Sequence, residues 1–360
     1  MTLKNKLPIL VGHQDTLLHI YLPERGEGRS FFVRSDKGHI DLPRAREGGL
    51  GGGFFAVFVL ADTHADKPGR MGRTDLKMNG AGYEMPLPAP LDMAYAQRVT
   101  MTMAANLFRL ETESEGQVRV VRKLDELATC LEEDIHAAIL HFEGAEAIDP
   151  ELDALEVFYQ AGLRSLGIVW SRPNEFAHGV PFIFPHSPDT GPGLTDAGRE
   201  LVRGCNRLGI MLDLSHLNEQ GFWDVAKLSD APLVATHSNA YAVCPSTRNL
   251  TDRQLDAIKE SEGMVGLNFG VHDLREDGSN DPNTPLDMLV RQLDYLVNRL
   301  GIDCVGLGTD FDGTIIPRAI GDVTGLPKLI ALLREHDYDE TSLRKLAYEN
   351  WLRVLSKTWR

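Results

Sequence analysis

Eight short apolar runs, each followed by a stretch with helical spacing, limit this chain to very few folds. The runs are Leu7–Gly12, Gly53–Leu60, Ala137–Glu143, Ser165–Trp170, Ile210–Ser215, Leu233–His237, Met264–Phe269 and Cys304–Asp310. They are nearly continuous rather than alternating, as strands buried on both faces must be. Strands that alternate with helices build a parallel sheet, and eight such units predict a closed (β/α)₈ barrel of the TIM type. Caps mark the helices between them. Thr284-Pro285 opens one that Gly301 closes, and Thr195, Thr251 and Thr341 stand where N-caps belong. At 360 residues the chain is long for one domain, but α/β barrels routinely reach that length, and no linker or repeat divides it. Residues 1–360 are therefore expected to form a single barrel domain. Two segments, Arg25–Gly53 and Arg172–Gly193, are expected to be long loops.

The chemistry is expected at the C-terminal ends of the strands, where barrel active sites lie. Residue types that bind metals recur there. The first strand ends in His13-Gln14-Asp15, whose alternate members share a face. The third ends in His141-Phe142-Glu143, the fifth runs LDLSH to His216, the sixth runs VATH to His237, and the eighth runs GLGTD to Asp310. A lone histidine at a strand end is usually a hydrogen-bonded core residue. Five such ends of one polarity point instead to a metal centre of imidazole and carboxylate ligands. The second Gly-His-x-Asp motif, Gly38–Asp41, has charged flanks and no strand to aim it, so His39 and Asp41 are assigned to a loop. His141 sits deeper in its strand and is left out of the site. His19, His64, His136, His186, His272 and His336 lack a partner pattern and are read as structural.

A formal net charge of −15 excludes nucleic acid and anionic membrane surfaces as partners, because both reward clustered Lys and Arg. Cys130, Cys205, Cys244 and Cys304 are scattered without C-x-x-C pairing and read as reduced, buried thiols. No apolar stretch approaches the roughly 20 residues of a membrane span. The opening MTLKNKLPIL is read as a first strand rather than a signal peptide, and a cytoplasmic location is the expectation that follows.

At these residues the sequence resembles the membrane (renal) dipeptidase family, a branch of the amidohydrolase-type barrels. The resemblance spans nearly the whole chain: GHQD (Gly12–Asp15), HIDLPRAREGGLGG (His39–Gly52), FEG (Phe142–Gly144) and GLTDAGRELVRGCNRLGIMLDLSH (Gly193–His216). It continues in THSNAYAVCPSTRNLTD (Thr236–Asp252), GLGTDFDG (Gly306–Gly313) and ENWLRV (Glu349–Val354). It implies a metallodipeptidase in which His13, Asp15 and Glu143 hold one zinc ion. Glu143 would bridge to a second, held by His216 and His237. Asp310 would be the acid/base group, Arg248 would pair with the free carboxylate of a dipeptide, and the enzyme would be a homodimer that accepts a D-residue at the C-terminal position in some members. Elementary chemistry agrees: two ions about 3.5–4 Å apart can share and deprotonate one water, and the guanidinium fork matches a carboxylate bidentately. Other divalent ions satisfy the same ligands.

One position departs from the family. Where its better-known members carry a histidine after the fourth strand, this chain has Trp170, a substrate-pocket residue with only an indole N–H to donate. Oxyanion stabilisation is then expected from the metals or from the following loop, with His178 the first candidate and Asn174 the second. Trp170 and that loop leave open a related amidohydrolase acting on N-acyl amino acids, against which Arg248 speaks. A metal-binding barrel without turnover is the third reading, and the intact ligand set speaks against it.

Overall fold

The computed structural model describes residues 6–22, 29–61, 77–79 and 82–359. Its strands are β1 (Ile9–Gln14), β2 (Leu50–Val57), β3 (Lys77–Asn79), β4 (Gly82–Met85), β5 (Val118–Val120), β6 (His136–Glu143), β7 (Leu163–Gly167), β8 (Phe182–Phe184), β9 (Met211–Asp213), β10 (Val234–Ser238), β11 (Met264–Asn268) and β12 (Val305–Phe311). Parallel pairing runs β2-β1-β12-β11-β10-β9-β7-β6, and β2 also bonds to β6, which closes eight strands into the expected barrel. The last strand lies beside the first, with Val11 opposite Leu307 and His13 opposite Thr309. β5 adds to the outside of β6.

Each apolar run became one barrel strand, with shifted ends. β2 starts at Leu50, inside the stretch Arg25–Gly53 read as loop. Its glycines are there for closeness: a Cβ on Gly52 would lie 2.2 Å from the Ala137 carbonyl oxygen of β6. The same stretch holds a helix, Leu42–Gly48, so it is not a structureless loop. Asp41 caps that helix through the Arg44 amide and pairs with the buried Arg44 guanidinium, and Gly49 ends it in the left-handed conformation. The charges that read as a solvated loop are in fact paired inside. The loop Arg172–Gly193 likewise contains β8. Thr195 caps its helix through the Gly198 amide and Thr251 forms a capping box with Gln254, but Thr341 lies inside a helix that Asp339 caps.

The lower, N-terminal end of the barrel is apolar. Leu10, Phe54, Ile139, Met211, Val234 and Met264 form a layer there, sealed by Trp351 from the last helix, Asn350–Thr358. Phe54 meets Trp351 at 5.0 Å between ring centroids. The indole needs glycines above it, since a Cβ on Gly12 would lie 2.5 Å from its ring. The upper, C-terminal end is overlaid by a feature the sequence reading missed, the antiparallel sheet β3-β4-β8. Its Tyr83, Met85, Phe182 and Phe184 pack with Cys244 against Trp170. All four cysteines are buried free thiols. Among the described residues no helix is long and apolar enough to cross a membrane. His64 lies outside the described residues.

Candidate metal centre

Strand ends deliver five side chains to one buried cleft at the upper mouth. His13 comes from the end of β1 and Asp15 follows it. Glu143 ends β6, His216 follows β9 and His237 lies in β10. The Glu143 carboxylate stands between two groups. Its Oε2 is 3.6 Å from His13 Nε2, which is itself 3.4 Å from Asp15 Oδ2. Its Oε1 is 3.0 Å from His216 Nε2 and 3.6 Å from His237 Nε2, and those two nitrogens are 3.1 Å apart.

These spacings fit cations. Two nitrogens bound to one tetrahedral zinc at about 2.0–2.1 Å stand roughly 3.3 Å apart. His13 Nδ1 and Nε2 and Asp15 Oδ1 are buried without a hydrogen-bond partner, a costly arrangement for polar atoms unless something binds them. The groups His13–Asp15–Glu143 and Glu143–His216–His237 each gather three ligand atoms within 4.8 Å. A third grouping, His13–Asp213–His237, is geometrically available. Asp213 is already taken, however: its oxygens accept from the Ser215 and Thr236 amides and, at 2.6 Å, from the Thr236 hydroxyl.

The surroundings aim the imidazoles. His216 Nδ1 meets the Ser171 hydroxyl at 2.9 Å and His237 Nδ1 meets the Thr236 hydroxyl at 2.8 Å, which leaves Nε2 of each ring directed at Glu143. His141 lies against the cluster, edge-on to His13, with Nδ1 on Ser165 and Nε2 3.6 Å from Asp213. Burial pushes the His141 ring down to about 3 and also lowers His237, helped by the positive neighbours His13 and Arg248. Burial raises the Glu143 carboxyl to about 7. His13 is the exception: burial opposes its charge, but Glu143 and Asp15 hold its pKa well above the usual imidazole value. Protons and carboxylates therefore compete within a closed space, a competition that a divalent cation bound there would resolve.

Asp310 stands beside this cluster. A Cβ on Gly313 would lie 2.1 Å from Asp15 Oδ2 and 2.3 Å from Asp310 Oδ1, so both carboxylates crowd the same point. Asn268 Nδ2 donates to Asp310 Oδ2 at 3.3 Å. The turn carrying Asp310 is strained, with Thr309, Asp310 and Asp312 at φ of 62, 61 and 67°. Such left-handed residues cluster at functional sites. Arg248 is buried, and its Nη2 donates to the His237 carbonyl at 3.2 Å. Trp170 lies past the end of β7, half-buried, 5.9 Å from the His216 ring and 5.7 Å from Phe182.

The loop candidates fare differently. Asn174 spends its amide on loop structure: Nδ2 donates to the Ile168 carbonyl and Oδ1 accepts from the Phe176 and Ala177 amides. His178 contributes its backbone, accepting from the Asn218 amide at 3.3 Å, and among the described residues its ring makes no hydrogen bond or ion pair. Reasoning from the sequence missed Asp213, Ser171, Thr236 and Asn268. Asp213 sits two residues before Ser215 inside the very run that announced His216, and its place at the end of β9 was a usable signal.

The description "Membrane dipeptidase (Peptidase family M19)" matches residues 1–359. A protein of the pqqA 5′ region of Klebsiella pneumoniae is 48% identical over 270 residues, covering 75% of this chain and 97% of its own length. A metallo peptidase from Rhodobacter sphaeroides, solved with a phosphinate mimic of the dipeptide L-Ala-D-Ala, superposes with a TM-score of 0.92 at 53% identity, covering 98% of this chain and 99% of that one. Dipeptidase AC, an M19 metallo peptidase, gives a TM-score of 0.92 at 52% identity over 99% of each chain.

Proposed function

The chain belongs to the membrane dipeptidase family, and from that premise we propose that it hydrolyses dipeptides, including those with a D-residue at the C-terminal position, at two zinc ions. The L-Ala-D-Ala mimic bound by the Rhodobacter sphaeroides relative supports the substrate class. One observation carries the rest: Glu143 turns its two oxygens to two separate ligand groups, the disposition a bridging carboxylate needs.

In this reading His13, Asp15 and Glu143 would hold one ion, and Glu143, His216 and His237 would hold the other. Two divalent cations there supply Lewis acidity for the water and for the scissile carbonyl. Arg248 receives the substrate carboxylate in its guanidinium fork and fixes the direction of binding. Asp310 takes a proton from the attacking water on Oδ1, the oxygen beside Asp15, and passes it to the leaving amine nitrogen as the C–N bond breaks. Asn268 holds Oδ2 meanwhile. Trp170 and Phe182 wall the mouth and keep bulk water from the cleft.

The test is a panel of L,L and L,D dipeptides and N-acyl amino acids offered to the zinc-loaded enzyme, with metal counted in parallel. Chelator-sensitive release of amino acids from dipeptides, two zinc ions per chain, and a roughly 10²–10⁴-fold lower kcat in Asp310→Asn at unchanged metal content are expected. Turnover of N-acyl amino acids alone, or full activity of Asp310→Asn, would overturn the reading.

A further inference from the structure

The second Gly-His-x-Asp motif takes no part in the cation cluster, yet its histidine is locked to the turn that carries Asp310. The Asp312 amide donates to His39 Nδ1 at 2.8 Å, and the His39 amide donates back to Asp312 Oδ1. Asp312 Oδ2 accepts from Arg29 Nη2 at 3.1 Å. The Asp312 side chain is fully buried. Arg29 is fixed in turn, since it donates to the Lys37 carbonyl and lies across Gly38, where a Cβ would meet its guanidinium at 2.5 Å. His39 is anchored from behind by the Val323 amide on its carbonyl and rests on the Phe311 ring.

This grip falls on a strained turn beside the site. Thr309, Asp310 and Asp312 are all left-handed. A β-branched threonine there is a true outlier, and such conformations persist only where neighbours over-determine them. Thr309 is held from one side, its hydroxyl on the His13 carbonyl at 3.0 Å. On the other side Asp312 is held most closely by His39 and Arg29, with the Thr16 hydroxyl at 3.5 Å from its Oδ2 and His19 Nε2 at 3.3 Å from its carbonyl oxygen adding longer contacts.

We propose that His39 and Arg29 are positioning residues for catalysis: by clamping Asp312 they fix the left-handed turn and so the direction of the Asp310 carboxylate. The inference rests on the acid/base reading of Asp310. A misaimed proton-transfer group slows the chemical step without weakening substrate or cation binding, and a displacement of about 1 Å can cost roughly a hundredfold.

The experiment compares zinc-loaded wild type, His39→Ala, His39→Asn and Asp310→Asn for kcat, KM, metal content and Tm on one dipeptide. His39→Ala is expected to lower kcat roughly 10–100-fold with KM and metal content unchanged. His39→Asn, whose Oδ1 stands where Nδ1 stood and accepts the same amide, is expected to regain most of that loss. Arg29→Gln serves as the second lesion should His39→Ala not fold, with the same split expected. Wild-type kcat in the folded clamp variants, beside an inactive Asp310→Asn, would overturn the clamp alone. So would a fall in metal content that tracks Tm, or failure of His39→Asn to rescue. Full turnover by Asp310→Asn would instead remove the acid/base reading beneath it.

Discussion

At its lower end the barrel is closed by Trp351, packed on Phe54 beneath a glycine that leaves room for the indole ring. At its upper end the same strands converge on three imidazoles and three carboxylates, all of them buried. The lower end follows the ordinary rule for interiors, filling space with apolar atoms. The upper end breaks it, collecting charges that burial penalises and that few hydrogen bonds relieve. The contrast teaches that one scaffold can hold a costly site because the stability is supplied elsewhere. Mutations at the two ends should therefore fail in different ways.

The sharpest separation comes from Glu143→Gln. It is expected to leave no measurable turnover and at most one cation per chain, while the metal-free protein keeps or raises its Tm because a buried carboxyl has gone; activity assay, metal analysis and calorimetry check this. Trp351→Ala should do the reverse. Opening a void below costs about 3–5 kcal/mol in urea unfolding, while the protein that remains folded binds a full complement of metal. Trp351→Phe costs less, since the indole N–H it removes has no partner in the folded chain. A large loss of stability in Glu143→Gln, or of metal in folded Trp351→Ala, would break the division.

Smaller effects refine it. Arg248→Lys keeps the charge and loses the fork, so kcat/KM on dipeptides should fall roughly tenfold, about the worth of one charge-assisted hydrogen bond, mostly through KM. The pH response should belong to the upper end alone. With no cation present, the Glu143 carboxyl is pushed up to about 7 by burial and His13 is also held high. Both keep a proton below that range, and the proton must leave before a cation enters. Cation affinity is therefore expected to rise with pH from 6 to 8 in a chelator-competition titration, with the same slope in Trp351→Phe.

The barrel was legible because its strands are buried on both faces, and unbroken apolar runs between helical stretches admit few alternatives. Their ends were less so. β9 spans only Met211–Asp213, and the apolar residues past it belong to the loop that carries His216. The gathering of His13, Asp15, Glu143, His216 and His237 was legible because barrel geometry states in advance where strand ends converge. What stayed hidden were residues acting through others. Asn268 ends a strand with no charge to mark it, and Asp213 was eclipsed by His216 in the same run. The helix Leu42–Gly48 was disguised by Asp41 and Arg44, two charges that usually mark a surface and here pair inside. The sheet over the mouth joins Tyr83 to Phe184, 101 positions apart in the chain, and strands of three or four residues carry no readable period.

The seam between β1 and β12 has a consequence in time as well as in space. His13 and Asp15 emerge well before Thr309 and Asp310, which flank them in the finished ring, during synthesis. Until that seam zips, His13 and Asp15 have no wall on one side and the Thr309 hydroxyl lacks its hold on the His13 carbonyl. On the proposed reading, cation capture is then expected late in maturation, contingent on the longest-range contact in the barrel. In the opposite direction, loss of a bound cation is expected to accompany the parting of that seam, so metal release would gauge the barrel coming apart.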